Sequence, residues 1–411
     1  MKKKKSKDYL LKESETFCLI PWIHIHTTPS GKVMPCCISK ITDKDFGDSK
    51  VLSIKELVNT DRMKLLRKNM VDGVKSYNCK QCYAHESQGI KSFRQSVNEE
   101  YEKYFDESLS NTDSDGGVQD FKMRYFDIRF SNICNFKCRT CDQEYSSQWE
   151  AENQKHNEPL AKIIPKNNSE SLVEEVLSHI PYLEAAYFAG GEPLITEEHY
   201  IILEALIKQN RTNVRLVYNT NLSNFKFKNK DLLSIWKHFN GVYVYASIDH
   251  YGKKAEYIRH GTDWGTVESN LYAIKKLDYI KTQLNTVCSI YNYLTFDEFY
   301  NYLFDKNLYS SKDFANTIYN MQGPIQLTSQ ALPKNLKLKA KQRMTNLITK
   351  MEIQGFKGDR IEFLNSTISW AESQDQWESN KDLFQKETER IDKIRGENFV
   401  EVFPELAELM E

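Results

Sequence analysis

The chain has 411 residues, 40% of them apolar and 27% charged, which is enough for two or three domains and too apolar for a disordered protein. Lys and Arg number 56 against 57 Asp and Glu, a net charge of -1 that disfavours a globally basic nucleic-acid binder and leaves no strong nucleic-acid signal. No apolar run approaches the ~18 residues of a membrane span. The basic start Met1–Lys5 runs into Ser6, Lys7 and Asp8 where a secretory signal turns apolar, so a cytoplasmic protein is expected.

Residues 1–15 read as a flexible basic tail. Period-2 alternation on both sides of Pro29-Ser30-Gly31 predicts a β-hairpin from His24-Ile25-His26 to Pro35-Cys36-Cys37. His24 and His26 share one hairpin face, which suits packing better than ligation. The chain has nine cysteines, and in a reducing compartment clustered cysteines point to metal or redox chemistry rather than disulfides. Cys18, one of Cys36 and Cys37, and the pair Cys79-x-x-Cys82 can enclose one metal centre, zinc and iron–sulfur fitting the spacing equally. Adjacent cysteines on a strand point to opposite faces, and spacing alone does not say which of Cys36 and Cys37 faces the metal. The polar stretch 108–117 lacks an apolar period and reads as a linker. The expected divisions are therefore an N-terminal domain over 16–107, a linker over 108–120, a core over 121–330 and a helical extension over 331–411.

In the core, short apolar runs at 124–130, 185–189, 214–218, 241–248 and 284–290 read as strands. Amphipathic runs at 171–179, 197–209, 232–239, 267–277 and 296–305 read as helices between them. The alternation predicts βα units around a parallel sheet, with chemistry in the loops after the strands. Charged, leucine-containing helical patterns over 334–350 and 376–394 make up the extension.

Directly after the first strand comes Cys134-Asn-Phe-Lys-Cys138-Arg-Thr-Cys141. Three thiolates can hold three corners of a cubane cluster and leave the fourth iron open; a structural zinc would need a further Cys or His, and none lies within ten residues. After the second strand comes Gly190-Gly191-Glu192-Pro193, where two glycines permit close backbone approach and Glu192 can accept from an ammonium group. Cys288, alone in an apolar run, reads as a buried small hydrophobe.

The ordered CxxxCxxC loop and GGEP resemble the radical S-adenosylmethionine (SAM) superfamily. Tyr218-Asn-Thr-Asn-Leu-Ser223, Ser247-Ile-Asp249 and the segment Tyr257–Trp264 are similar to its SPASM and twitch branch. The resemblance implies a partial (β/α)6 TIM-like barrel of parallel strands, an N-terminal α+β twitch-like iron–sulfur domain and a C-terminal helical extension. It implies that Cys134, Cys138 and Cys141 hold a [4Fe–4S] cluster whose open iron binds SAM. Gly190, Gly191 and Glu192 would then meet the methionine amine, Thr220, Asn221, Ser247 and Asp249 would lie near the ribose or methionine, and Arg259 would pair with the carboxylate. One electron would cleave SAM to a 5′-deoxyadenosyl radical that abstracts hydrogen from substrate.

Cys18, Cys36, Cys79 and Cys82 would hold an auxiliary [4Fe–4S] cluster, Gly31 standing five residues before Cys36 as in such domains. In many members that domain follows the core, whereas here it precedes it. Pro21-Trp22-Ile23-His24 and the later Pro324-Ile-Gln-Leu-Thr with Leu332-Pro333-Lys334 resemble a subfamily with the domain placed first. The implied partners are a reductant of flavodoxin or ferredoxin type and a substrate that is a peptide, a sugar-derived metabolite or a nucleotide. The implied reaction is an oxidation, cross-link or epimerisation, with no catalytic acid or base identifiable. The competing reading is a zinc-stabilised binding protein on an inactive barrel.

Overall fold

A computed structural model describes residues 5–40, 46–87, 89–156 and 169–411. Met1–Lys4 of the basic tail lie outside the described residues. Residues 5–15 are not a loose tail: Tyr9–Glu13 forms a helical turn that buries Leu10 and Leu11, the one apolar pair in that segment.

Ten strands are present among the described residues: β1 (His24–Thr27), β2 (Val33–Met34), β3 (Tyr125–Ile128), β4 (Ala185–Phe188), β5 (Arg215–Thr220), β6 (Lys226–Phe227), β7 (Lys230–Asp231), β8 (Val242–Ser247), β9 (Ile280–Cys288) and β10 (Thr317–Asn320). β6 and β7 make a small separate ladder. The other eight form one sheet in the order β10-β9-β8-β5-β4-β3-β1-β2. Every pairing in it is parallel except β1 with β2, the hairpin expected around Pro29–Gly31. From β3 to β10 the strands follow chain order with helices between them, which is the partial (β/α)6 barrel. The N-terminal hairpin extends that barrel by pairing β1 alongside β3, so its cysteines are carried on an edge of the same sheet.

The two faces of this sheet differ in chemistry. On β5 and β8 alternate residues are fully buried: Leu216, Tyr218 and Thr220 on one strand, Val242, Val244 and Ala246 on the other. Tyr218 packs outward, its ring stacked on Phe188 and tilted against Trp236, while Thr220 at the strand end turns to the loops. The intervening residues Val217, Asn219, Tyr243, Tyr245 and Ser247 are half-buried and face inward. Register places Tyr187 beside Val217, Asn219 beside Tyr245, and Ser247 beside Asn285. Asn219 Nδ2 donates to Tyr187 Oη at 2.5 Å, and Asn285 Nδ2 to Asn219 Oδ1 at 3.4 Å. A barrel built to be filled by its own side chains would place branched apolar residues there. This one presents amides and phenols.

The segment 108–117, read as a linker, is pinned in place. Phe105–Ser110 is helical, and the turn after it is held by Arg67 from the helix Asp61–Asp72. The buried Arg67 guanidinium donates to the carbonyls of Gly116 (2.7 Å), Pro21 (2.9 Å) and Val58 (2.5 Å), tying three separate segments together. Burial pulls its pKa down to about 10. Arg67→Ala should therefore lower the denaturant midpoint of the cluster-free protein, at about 1–3 kcal/mol for each carbonyl left bare. An unchanged midpoint in urea would show that water replaces the guanidinium without loss.

The extension consists of helices Lys334–Ile353, Asp359–Glu372 and Trp377–Arg395, followed by the short turns Phe399–Val402 and Pro404–Met410. Among the described residues no helix is long and apolar enough to cross a membrane.

Candidate active site and auxiliary cavity

The three-cysteine loop has no regular secondary structure of its own from Ser131 to Thr140. Its shape comes from what surrounds it. Lys137 N donates to His260 O at 2.9 Å and Arg139 N to Ile258 O at 2.7 Å, zipping the loop to the end of the helix Gly252–Ile258. Ser146 Oγ donates to Phe136 O at 2.6 Å, and Trp149 Nε1 to Cys138 O at 2.7 Å. Gly261 makes this approach feasible, because a Cβ there would stand 3.0 Å from Asn135 O and at positive φ. Cys134, Cys138 and Cys141 feel one another's charge across the loop. Burial raises all three thiols, Cys134 to about 12. Phe136 N–H donates to Cys134 Sγ at 3.4 Å, an arrangement that favours a thiolate.

Gly190-Gly191-Glu192 follows β4 and packs directly on this loop. A Cβ at Gly191 would lie 2.1 Å from Ile133 O, so only glycine fits, and Glu192 N donates to the same carbonyl at 2.7 Å. The buried Glu192 carboxylate accepts from Thr220 Oγ1 (2.7 Å), Asn221 N (2.7 Å) and Leu194 N (3.2 Å). Burial outweighs these bonds and pushes its pKa up to about 7. Asn221 reaches on to Asn135 Oδ1 at 2.9 Å, joining the end of β5 to the cysteine loop. On the other side Asn221, Ser247, Asp249 and Arg259 line one small cavity at the strand ends. Arg259 Nε is 2.7 Å from Asp249 Oδ2, and Asp249 Oδ1 accepts from Val287 N at 2.8 Å. Arg259 is raised above its ordinary range; burial opposes that, while Asp249 and the Cys138 and Cys141 thiols favour its charge. Of the eight sequence-derived cofactor positions, Gly191, Glu192 and Asn221 touch the cysteine loop directly, and Thr220 is joined to it through Glu192. Ser247, Asp249 and Arg259 share a cavity with Asn221, and Gly190 precedes Gly191 against Arg129. Asp249, however, already occupies part of the arginine expected to meet a carboxylate.

Upstream, Cys18, Cys36, Cys79 and Cys82 line a single cavity with Ile20, Pro35, Met70 and Phe93. Cys37 does not line it; the charges of Asp127 and Arg129 act on it more strongly than that of Cys82. Burial raises the four thiols, Cys79 to about 11. Backbone N–H groups of Ile20 and Arg94 work against burial at Cys18 and Cys82. Among the described residues no three His, Cys, Asp or Glu side chains gather tightly enough to hold a single metal ion. The four sulfurs surround a space rather than a point. Buried N–H···S contacts and an apolar wall fit an iron–sulfur cluster, whose sulfurs need hydrogen bonds and shielding from water.

Sequence reasoning missed two features here. His26 Nδ1 lies 2.7 Å from Asp127 Oδ2, both buried, where β1 meets β3. With Arg129 3.6 Å from Asp127 Oδ1, they form a charged group on the inner face. The parity of β3 would have placed Asp127 inward, but only the pairing with β1 supplies His26. The second is Arg139, inside the cysteine loop, whose partners lie in the extension.

Two family models match the chain: the radical SAM superfamily over residues 128–303, and the iron–sulfur cluster-binding SPASM domain over residues 18–83. The chain belongs to the radical SAM superfamily. Its SPASM domain stands before the barrel, and the span of that match contains all five upstream cysteines. The two models describe a radical SAM core, which takes SAM and a [4Fe–4S] cluster, and a domain that binds an auxiliary iron–sulfur cluster. No curated protein matches the chain. Among solved structures, this radical SAM protein is similar to native anSMEcpe with bound AdoMet and Cp18Cys peptide. That match has 20% identity and a TM-score of 0.36, covering 58% of this chain and 60% of the other. Streptococcus suis SuiB bound to S-adenosylmethionine matches at 13% identity with a TM-score of 0.39, covering 73% of this chain and 64% of that one. The chain thus spans about three fifths of the length of the first of these.

Proposed function

We propose that Cys134, Cys138 and Cys141 hold the SAM-binding cluster, that Cys18, Cys36, Cys79 and Cys82 hold the auxiliary one, and that the enzyme performs a net oxidation on a polar substrate. The carrying observation is the convergence of Glu192, Thr220, Asn221 and Asn135 on the cysteine loop, with Ser247, Asp249 and Arg259 completing the ring. When bound, the core cluster supplies the electron that splits SAM into methionine and a 5′-deoxyadenosyl radical.

The protein's own residues place and shield. Glu192, fixed by three donors, orients the methionine ammonium, while Arg259, braced by Asp249, faces the carboxylate. The amides and phenols of the inner face receive a polar substrate. Four cysteines around one cavity would leave a cluster held there no vacant iron, which supports electron acceptance over substrate binding as the auxiliary role.

Glu192 supplies the test. Glu192→Ala should weaken SAM binding about ten- to a hundredfold, because a hydrogen bond to a charged group contributes ~1.5–3 kcal/mol. The carboxyl also gives a pH signature. Its folded pKa of about 7 lies above the ordinary 4.5, so the ligand-free fold takes up a proton between these values. The associated stability is full below the lower value and is lost as pH rises through the upper one. Pairing with an ammonium requires the ionised form. SAM affinity should therefore fall as pH drops below about 7, by up to about tenfold per unit, and Glu192→Gln should flatten that slope. Calorimetric titration of the reconstituted protein reads both effects; unchanged affinity in Glu192→Ala would overturn the assignment of this motif.

A further inference from the structure

Arg139 stands between Cys138 and Cys141, yet its side chain is fully buried and turned away from the barrel. The guanidinium donates to Asp392, on the helix Trp377–Arg395, and to Glu397, just beyond it. It also lies over the Tyr257 ring at 3.7 Å. Tyr257 Oη donates to the same Asp392 oxygen at 2.8 Å, and Asp392 Oδ2 accepts from Phe399 N at 2.7 Å. The other oxygen of Glu397 is 2.6 Å from His260 Nδ1, and it is His260 O that receives Lys137 N.

A second arm runs in parallel. Arg395, also fully buried, donates to Glu152 at 2.9 Å and lies over the Trp149 ring at 4.6 Å. Glu152 also accepts from Lys137 of the cysteine loop, and Trp149 donates to Cys138 O. Two independent chains of contacts thus lead from one helix end, some 250 residues downstream, to the peptide carrying two of the three thiols.

We propose that Arg139, with Asp392 and Glu397, is a clamp by which the C-terminal extension holds the cysteine loop in its cluster-binding shape. The inference rests on the reading that Cys134, Cys138 and Cys141 bind a cluster. An irregular loop has no ladder of its own to keep its thiols in place, so its geometry depends on such contacts. One nitrogen, Nη2, meets both carboxylates and fixes the position of the group, while stacking on the Tyr257 ring sets the guanidinium plane, which a lysine ammonium would not reproduce. Two carboxylates flank one cation, so the clamp adds no net positive charge beside the cluster. Arg139 is a positioning residue.

The test uses the full chain, reconstituted without oxygen and challenged with EDTA while the visible absorbance of its clusters decays. Cys134, Cys138 and Cys141 changed together to Ala identifies the decay of the auxiliary cluster alone. In Arg139→Lys and Asp392→Asn the remaining phase should accelerate about tenfold, the scale of losses when a group behind a metal ligand is changed. The auxiliary phase should keep its wild-type rate. The electron paramagnetic resonance signal of the reduced core cluster should broaden as well. Glu397→Gln, which removes one of the two carboxylate charges and leaves Asp392 in place, should accelerate the same phase and covers the case in which the other variants fail to fold.

Wild-type decay of both phases would overturn the clamp. Equal acceleration of both phases would also overturn it, because that is the mark of general destabilisation. Wild-type protein with no cluster at these three cysteines would instead overturn the functional reading beneath it.

Discussion

Cys134, Cys138 and Cys141 changed together to Ala should leave reconstituted protein with the iron and sulfide of one [4Fe–4S] cluster in place of two, and should reduce 5′-deoxyadenosine formation to background. The fold should survive. The loop is held by backbone bonds to Ile258 and His260, by Ser146 and by Trp149, none of which needs a thiol. The upstream cysteines line their own cavity, which no residue of the loop lines. Iron and sulfide analysis with a visible spectrum checks both statements. Wild-type protein containing iron for a single cluster would overturn the two-centre reading, and zinc in the upstream site would overturn its auxiliary half.

How much of this was legible in the sequence depended on how local the signal was. The cysteine loop and Gly190–Glu192 each announce themselves within eight residues, because their chemistry demands fixed spacing along one turn. Strands β5 and β8 were visible from their apolar halves. The helix Phe296–Asp305 was legible to the residue, since its apolar stripe is unbroken. β9 begins at Ile280, four residues before its apolar run; Lys281, Thr282 and Gln283 make its first half look like a loop. β10 went unread for the same reason. It has four residues, of which Ile318 alone is buried, and the partners that make it a strand, Asn285 to Cys288, lie on β9.

The remaining gaps are contacts between distant segments. No periodicity links Arg67 to the turn at Gly116, and a polar run ending in two glycines therefore read as a free linker. No spacing links His26 to Asp127 or Arg139 to Asp392. Each pair contains a buried charged group whose partner is dictated by topology. Such groups are costly to bury unpaired, so a charged residue in a position that must be buried is itself a sign that a partner exists elsewhere. Arg139, lodged between two cysteines of a buried loop, is the clearest instance. The choice between Cys36 and Cys37 has the same character. Alternation says that they diverge, and only the assembled cavity shows that Cys36 lines it with the other three.

Cys79→Ser should leave SAM cleavage without substrate at the wild-type rate while the auxiliary iron is lost and turnover of the true substrate falls. Cys79 ends the short turn Tyr77–Cys79 and leads into the helix Lys80–Ser87, so it and Cys82 present their sulfurs from one rigid start. A serine oxygen there is a shorter and harder ligand, poorly matched to iron that the other three sites bind through thiolate. The core loop takes no ligand from this domain, which is why uncoupled cleavage should persist. Cluster binding is coupled to folding, however, and loss of one ligand could loosen the turn. Asn78 guards against this: its Nδ2 donates to Lys40 O at 2.9 Å, and Lys40 N donates to Asn78 O at 3.1 Å, pinning the turn without any metal. Circular dichroism should therefore be unchanged. If folded Cys79→Ser protein converts substrate at the wild-type rate, the auxiliary centre plays no part in accepting the electron, and the four upstream cysteines serve the fold alone.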